Sequence, residues 1–565
     1  MRTPSTYKPL ALAAIVLLTL FAPTDGAAQH NRHDARALRA DPRLADGQLA
    51  PVLTGLGNVH FPVTTSSERA QAFFDQGLRL TYGFNHQEAL RAFKEAVRLD
   101  QNFAMAYWGW ALVLGPNINL PMQEDVVAQA YDAIQTAMSL RHRVTEKERD
   151  FIEALAARYT DDPTADRAAF DRAYAQAMRR VHHKYPDDPN AATLFAAALM
   201  NLSPWDYWTE DGRPGPNTEK LLAALETAME VDPEHTGALH YYIHAVEAVK
   251  PERGEAAADA LRGVAPGIGH LVHMPSHVYM QLGRYADSYE ANRLAIEADE
   301  GYIAQCRAQG IYPLNYYPHN VHFLAWSAVM QGRSQEALAA ARKVASGVPD
   351  DHSGDAWALY QTFLSMPLLT MVRFGLWDDV LREPAPSPEH RYASGIWHYA
   401  RGLAFVHTGT LPRAKEELRA LAATTEDPAL PEVYVGLGHA EQLLTIAREV
   451  LAGEIDAAEG RFDTAVRHLD RAVRLEDALT YNEPPDWFYP VRHTLGAILL
   501  EAGYPVEAEQ VYWDDLRRYR DNGYALFGLW KSLEAQGRDE EAAAVKQRFQ
   551  TAWRDADVQL TSSRF

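Results

Sequence analysis

A short glycine–arginine–alanine pattern recurs along this chain and restricts its fold more than any other feature. Gly283-Arg284-Tyr285, Gly332-Arg333-Ser334-Gln335-Glu336-Ala337-Leu338, Gly460-Arg461-Phe462-Asp463-Thr464-Ala465 and Gly537-Arg538-Asp539-Glu540-Glu541-Ala542 all carry it. Asn85-His86-Gln87-Glu88-Ala89-Leu90, followed by Phe93, Ala96 and Leu99-Asp100, is an earlier copy in which Phe84 replaces the glycine. Apolar residues at helical spacing flank each copy, so a helix precedes it and a helix follows it. The glycine permits a sharp turn, and the small alanine lets the two helices approach closely. Helical periodicity runs nearly to the C-terminus without a run of alternating strands, punctuated by Asp187-Asp188-Pro189-Asn190 and Asp232-Pro233. The expected fold is all-α: helix-turn-helix repeats stacked into a curved α-solenoid, each burying its apolar face against its neighbours.

The pattern resembles the tetratricopeptide repeat, whose helix-turn-helix unit is about 34 residues long. It is clearest over 70–115, 236–345 and 445–550. Long linkers at 200–218 and 480–490 divide the stack into two or three blocks. The boundaries that follow are 1–28 for a signal peptide, 29–65 for a flexible lead-in and 66–200 for N-terminal repeats. Central repeats with a histidine-lined groove span 219–350, further helical repeats 351–480, and C-terminal repeats 481–565.

The N-terminus reads as an export signal. Arg2 and Lys8 precede an apolar run from Leu10 to Ala22, and Gly26-Ala27-Ala28 offers a small-residue cleavage pattern before Gln29. An uncleaved anchor is the competing reading, but the run is short for a spanning helix. The expectation is a periplasmic or secreted protein with no stable membrane insertion after cleavage. Its single cysteine, Cys306, allows no internal disulfide, so stability comes from packing, and Cys306 reads as a small buried hydrophobe. A formal charge of -21 without a basic stripe argues against a nucleic-acid partner.

Counting back from each turn aligns the histidines. His273, His322 and His493 lie ten residues before Gly283, Gly332 and Gly503, and His240 lies ten before Lys250, which takes the glycine's place. His244 and His277 lie six before, and His270 and His319 thirteen before. Spacings of three and four put residues on one helical face, so His240, His244 and Glu247 form one stripe. His270, His273 and His277 form a second, and His319 with His322 a third. In tetratricopeptide proteins such first-helix positions are similar to those that line the concave groove. Imidazoles from stacked helices about 8–10 Å apart can converge on one ion or ligand. The plain reading is a set of polar groove residues, each with one hydrogen bond. Pro275 complicates the second stripe, since a helix starting at Met274 would leave His270 and His273 on a loop.

Two functions follow. The first is an exported scaffold whose groove binds a protein, peptide or small ligand through His240, His244, His270, His273, His277, His319, His322 and His493. Trp205, Tyr207 and Trp208 would form an aromatic lip, and histidines titrating near neutrality would make affinity depend on pH. The alternative is a metal-dependent enzyme or metal-binding protein holding zinc, copper or iron with His240, His244, Glu247, His273, His277 and His322. An assembly scaffold working through its convex surface is a third. No phosphate loop, nucleophile elbow or His-Glu-x-x-His motif is present. Phe74-Asp75-Gln76-Gly77-Leu78, His273-Met274-Pro275-Ser276-His277, Tyr317-Pro318-His319-Asn320-Val321-His322 and Pro485-Asp486-Trp487 look like a family of long bacterial exported tetratricopeptide proteins. That resemblance implies fold and export, and no established catalytic activity.

Overall fold

The computed structural model describes residues 47–209, 211–306, 312–348 and 356–565. The signal peptide and the first part of the lead-in lie outside the described residues. The chain divides into two compact units, one of residues 47–278 with 294–317 and the other of residues 279–293 with 318–565. Apart from a two-residue hairpin, Tyr434–Val435 against Gly438–His439, the regular structure described is helical. No described helix is long and apolar enough to cross a membrane.

In the first unit, helices Glu68–Tyr82, His86–Leu99 and Ala104–Leu114 pack in chain order. Ser67 starts the first helix by accepting the Ala70 N–H at 3.2 Å. Phe93, on the second helix, fills a space left by two glycines. A Cβ on Gly77 would stand 2.8 Å from the Phe93 ring, and one on Gly109 2.3 Å from it. The second unit repeats this arrangement around Tyr512, which stands where a Cβ on Gly496 or Gly528 would come within 2.4 or 2.0 Å. In both places sixteen residues separate each glycine from the aromatic knob, so the interlock is a property of the repeat. The fold is all-α and tetratricopeptide-like in each unit.

The turn glycines behave as the pattern requires. Gly283, Gly332, Gly460, Gly503 and Gly537 all have φ between 70° and 81°, the left-handed region where a side chain is disfavoured. The turn at Lys250 needs no such residue, because Lys250 donates its N–H to the Val246 carbonyl at 2.8 Å and Pro251 begins the next helix. Phe84 adopts φ 55° at the position where the other repeats use glycine.

Part of the lead-in differs from expectation. Ala50, Leu56, Val59 and Phe61 are buried, and Arg79 donates to the Val59 carbonyl at 2.7 Å. Residues 50–61 are therefore packed against the first helices, not a flexible tether. Four apolar side chains among the polar ones are enough to anchor the segment. Cys306 is buried and free, as a small hydrophobe would be.

Candidate metal centre

The helix Thr236–Val246 begins where the His235 imidazole accepts the Ala238 N–H at 3.1 Å. His240 and His244 follow one turn apart on it, with Glu247 a further turn along, and all three are buried. Gly237 leaves room for the Tyr82 ring, which a Cβ there would meet at 2.5 Å. That approach brings the end of the Glu68–Tyr82 helix alongside. Its last carbonyl, on Tyr82, lacks a partner within its own helix and accepts the His240 Nδ1–H at 2.6 Å. The proton is thereby fixed on Nδ1, and the Nε2 lone pair of His240 points away from the carbonyl.

His270 and His273 lie on a five-residue helix, Gly269–His273. The chain passes through Met274 and restarts at Pro275, carrying Ser276 and His277. Pro275 thus interrupts the helix without leaving His270 and His273 on a loop. Gly269 is a close-approach position: a Cβ would lie 1.9 Å from Asp299 Oδ1. Tyr312 donates its hydroxyl proton to that carboxylate oxygen at 2.7 Å and accepts the His270 N–H at 3.2 Å. A buried carboxylate and a buried phenol therefore hold the backbone that carries His270.

Ring nitrogens of His240, His244 and His270, one from each residue, lie within 4.8 Å of one another. His240 Nε2 and His270 Nε2 are 3.2 Å apart. His244 Nδ1 stands 3.3 Å from Glu247 Oε1, and His277 Nδ1 stands 3.3 Å from Glu247 Oε2. His273 Nε2 is 2.9 Å from His277 Nε2. The cluster is enclosed by aromatic rings. Phe84 lies 4.6 Å from the His240 ring and stacks over His244 and His270 at 15° and 26°. Trp205 meets His244 edge-on at 5.0 Å, and Tyr316 lies 4.8 Å from His270.

Three non-glycine described residues have positive φ: Phe84, Trp205 at 65° and Asp521. Two of the three place their rings against His244. A left-handed conformation costs a residue with a side chain about 1–2 kcal/mol, so the surroundings hold these two rings in place against that strain. Such outliers cluster at functional sites.

Burial governs the protonation of the cluster. It pushes the His240 imidazole down to about 3, and it holds His270 well below the usual histidine range, helped by the neighbouring imidazoles. The expected titration near neutrality is therefore absent from these two residues, and both are neutral nitrogen donors at physiological pH. The residues are enclosed, whereas the groove reading placed them at a partly exposed surface.

His319, His322 and His493 belong to the second unit. His322 is buried against Phe363, and burial lowers it to about 4. His319 is half-buried with its ring 4.8 Å from Phe323. His493 is fully buried, and both its nitrogens are engaged. Nδ1 accepts from Arg373 Nη2 at 2.7 Å, and Nε2 donates to Asp515 Oδ2 at 2.9 Å. Asn522 donates to the same Asp515 oxygen at 2.9 Å, and Arg373 lies 3.3 Å from the centre of the Tyr524 ring. This is a closed structural network with no nitrogen left for a ligand.

Sequence reasoning missed Tyr82, Asp299 and Gly269 as supports of the site. It noted Phe84 as a departure from the repeat and not as a cover for the histidines. The absence of glycine at a position that Gly283, Gly332, Gly460, Gly503 and Gly537 fill in other turns was the available signal.

No family model matches the chain, and no curated protein sequence matches it. Similar solved structures include a human IFIT1 dimer with m7Gppp-AAAA, at 13% identity and a TM-score of 0.30, covering 87% of this chain and 92% of that one. The Cut9–Hcn1 hetero-tetramer of the APC/C is similar at 11% identity and a TM-score of 0.30, covering 85% of this chain and 76% of that one. Naa15/Naa10 bound to HypK-THB is similar at 16% identity and a TM-score of 0.20, covering 86% and 70%. At these scores the ligands and assemblies named for those proteins remain theirs.

Proposed function

We propose that this chain is an exported, metal-binding helical repeat protein whose first unit holds a divalent transition ion between His240, His244 and His270. The observation that carries the reading is the 3.2 Å approach of His240 Nε2 to His270 Nε2, with the His240 proton fixed on its far side. Zinc–imidazole bonds of about 2.0–2.1 Å place the nitrogens of a tetrahedral site about 3.3 Å apart. Glu247 behind His244 and the Tyr82 carbonyl behind His240 are the kind of outer partners that fix the tautomer of a ligating histidine. An all-imidazole donor set suits zinc, copper, iron or nickel and does not suit calcium or magnesium. Three protein donors leave a tetrahedral ion one position for an outside ligand.

Equilibrium dialysis of untagged full-length protein against zinc tests the reading. Binding is expected in the wild type and a loss of at least tenfold in affinity in His240→Ala/His270→Ala. Equal zinc uptake by the two proteins would reject it.

The small-ligand reading has one observation in its favour. Phe84 and Tyr241 also form part of the wall of a small cavity of about 40 Å³, which His86, Asn117 and Tyr174 line as well. Among the described residues the Tyr241 and Tyr174 hydroxyls make no hydrogen bond, so both can serve a small polar molecule there.

A further inference from the structure

The cavity beside Phe84 lies within the first unit, and its wall offers more donors than acceptors. Tyr174 and Tyr241 are both buried and line it, with hydroxyls that make no hydrogen bond among the described residues. A phenol keeps its proton at neutral pH, so each is a donor. Other polar groups of the wall are already paired. The Thr81 hydroxyl donates to the Gly77 carbonyl at 2.7 Å, and Asn117 Oδ1 accepts the Asn119 N–H at 2.8 Å. The Pro116 carbonyl accepts from Arg158 Nη2 at 3.1 Å and from Asn201 Nδ2 at 3.3 Å. One acceptor, Asn201 Oδ1, is left against the two phenols.

The same wall carries positive charge. Arg158, only 2% exposed, lines the cavity with its guanidinium 4.9 Å from the centre of the Tyr174 ring. Its Nε donates to Asp171 Oδ1 at 2.9 Å, and Arg167 Nη2 stands 3.7 Å from the same oxygen. Two guanidinium groups thus share one carboxylate, which leaves a positive charge over. That charge is felt at the wall: burial lowers the His86 imidazole to about 4, and Arg158 adds to the lowering. A cavity needs about 10–15 Å³ to hold one water, so 40 Å³ takes about three or four non-hydrogen atoms. We propose that this cavity is an anion site for a carboxylate of one or two carbons, which accepts the Tyr174 and Tyr241 hydroxyl protons beside Arg158. Buried charge and buried donors both cost stability when nothing answers them, and such a ligand answers both. The inference rests on the small-ligand reading of this cavity and adds the class of ligand; it does not depend on the metal.

The test titrates sodium acetate, and separately acetamide, into chelator-stripped full-length protein at constant ionic strength, followed by isothermal titration calorimetry. Acetamide keeps the shape of acetate and lacks its charge. Saturable acetate binding is expected in the wild type, at least tenfold tighter than acetamide. A loss of at least tenfold is expected in Tyr174→Phe/Tyr241→Phe, and none in His270→Ala. Should the double variant fail to fold by circular dichroism, Tyr241→Phe alone is expected to weaken acetate at least threefold. Acetamide that binds as tightly as acetate would overturn the anion site and leave the small-ligand reading standing. Acetate binding kept in full by the phenylalanine variants, or lost in His270→Ala, would place the anion elsewhere and overturn the proposal. No saturable binding of either compound would overturn both readings of the cavity.

Discussion

His240 in the first unit and His493 in the second occupy the same place in the repeat frame, ten residues before the turn, and both are fully buried. Their surroundings differ completely. His493 stands between an arginine and an aspartate, so each ring nitrogen meets a group of opposite hydrogen-bonding character. His240 meets a carbonyl on one side and another imidazole on the other. The repeat therefore fixes where a side chain points, and the neighbouring helices decide what it does there. A complete donor–acceptor chain makes His493 a structural element; a nitrogen facing a nitrogen is what the proposal reads as a ligand position at His240.

The comparison can be broken most forcefully at Asp515. Asp515→Ala leaves Arg373 and His493 buried without their carboxylate, and a loss of about 3–5 kcal/mol in unfolding free energy is expected. Metal content should not change. Denaturant melts with parallel metal analysis check this, and a drop in metal would tie the two regions together where the account separates them.

The same part of the second unit carries a pH signature. Glu476 accepts the Val491 N–H at 3.0 Å at the start of the helix that bears His493, and burial raises its carboxyl to about 8. Raised in the folded state, this group contributes stability that is full below about pH 4.5 and disappears as pH rises through 8. At about 1.4 kcal/mol per unit of displacement the contribution is on the order of 5 kcal/mol. Glu476→Gln should flatten the decline between pH 5 and 8.5 relative to wild type. Superimposable pH–stability curves would contradict this.

Metal removal should act on the first unit. With free zinc a hundredfold above Kd, binding to the native state adds about 2.7 kcal/mol, which a chelator removes. His493→Ala should leave that increment intact, whereas His270→Ala should abolish it. Calorimetric scans with and without chelator separate the two.

The smallest effect on stability is expected at Phe84. Phe84→Gly relieves about 1–2 kcal/mol of left-handed strain and gives up ring burial worth about as much, so stability should stay within about 1 kcal/mol of wild type. The imidazoles lose their cover, and metal release measured by competition with a chromogenic chelator should become faster. An unchanged release rate would reduce Phe84 to packing.

The helices and their turns were legible because glycine at a left-handed turn leaves a mark that one sequence displays. Gly283, Gly332, Gly460, Gly503 and Gly537 all adopt it. Half of the site was legible for a related reason. Helical spacing alone puts His240, His244 and Glu247 on one face. What spacing does not contain is the partner of each nitrogen, which comes from elements distant in sequence. Tyr82 lies 158 residues from His240, and Arg373 lies 120 from His493. The sequence frame therefore grouped His493 with His240, although one stands in a closed network and the other faces a second imidazole. Burial was likewise invisible. A histidine ten residues before a turn reads as a groove residue until Phe84 and Tyr316 are seen covering its neighbours.

The most direct measurement is an anomalous difference map from crystals of the zinc-loaded full-length protein, recorded at the zinc edge. The account predicts a peak enclosed by His240, His244 and His270, about 2.0–2.1 Å from a ring nitrogen of each. Zinc density confined to the surface, with the His240 and His270 nitrogens still 3.2 Å apart and nothing between them, would contradict it.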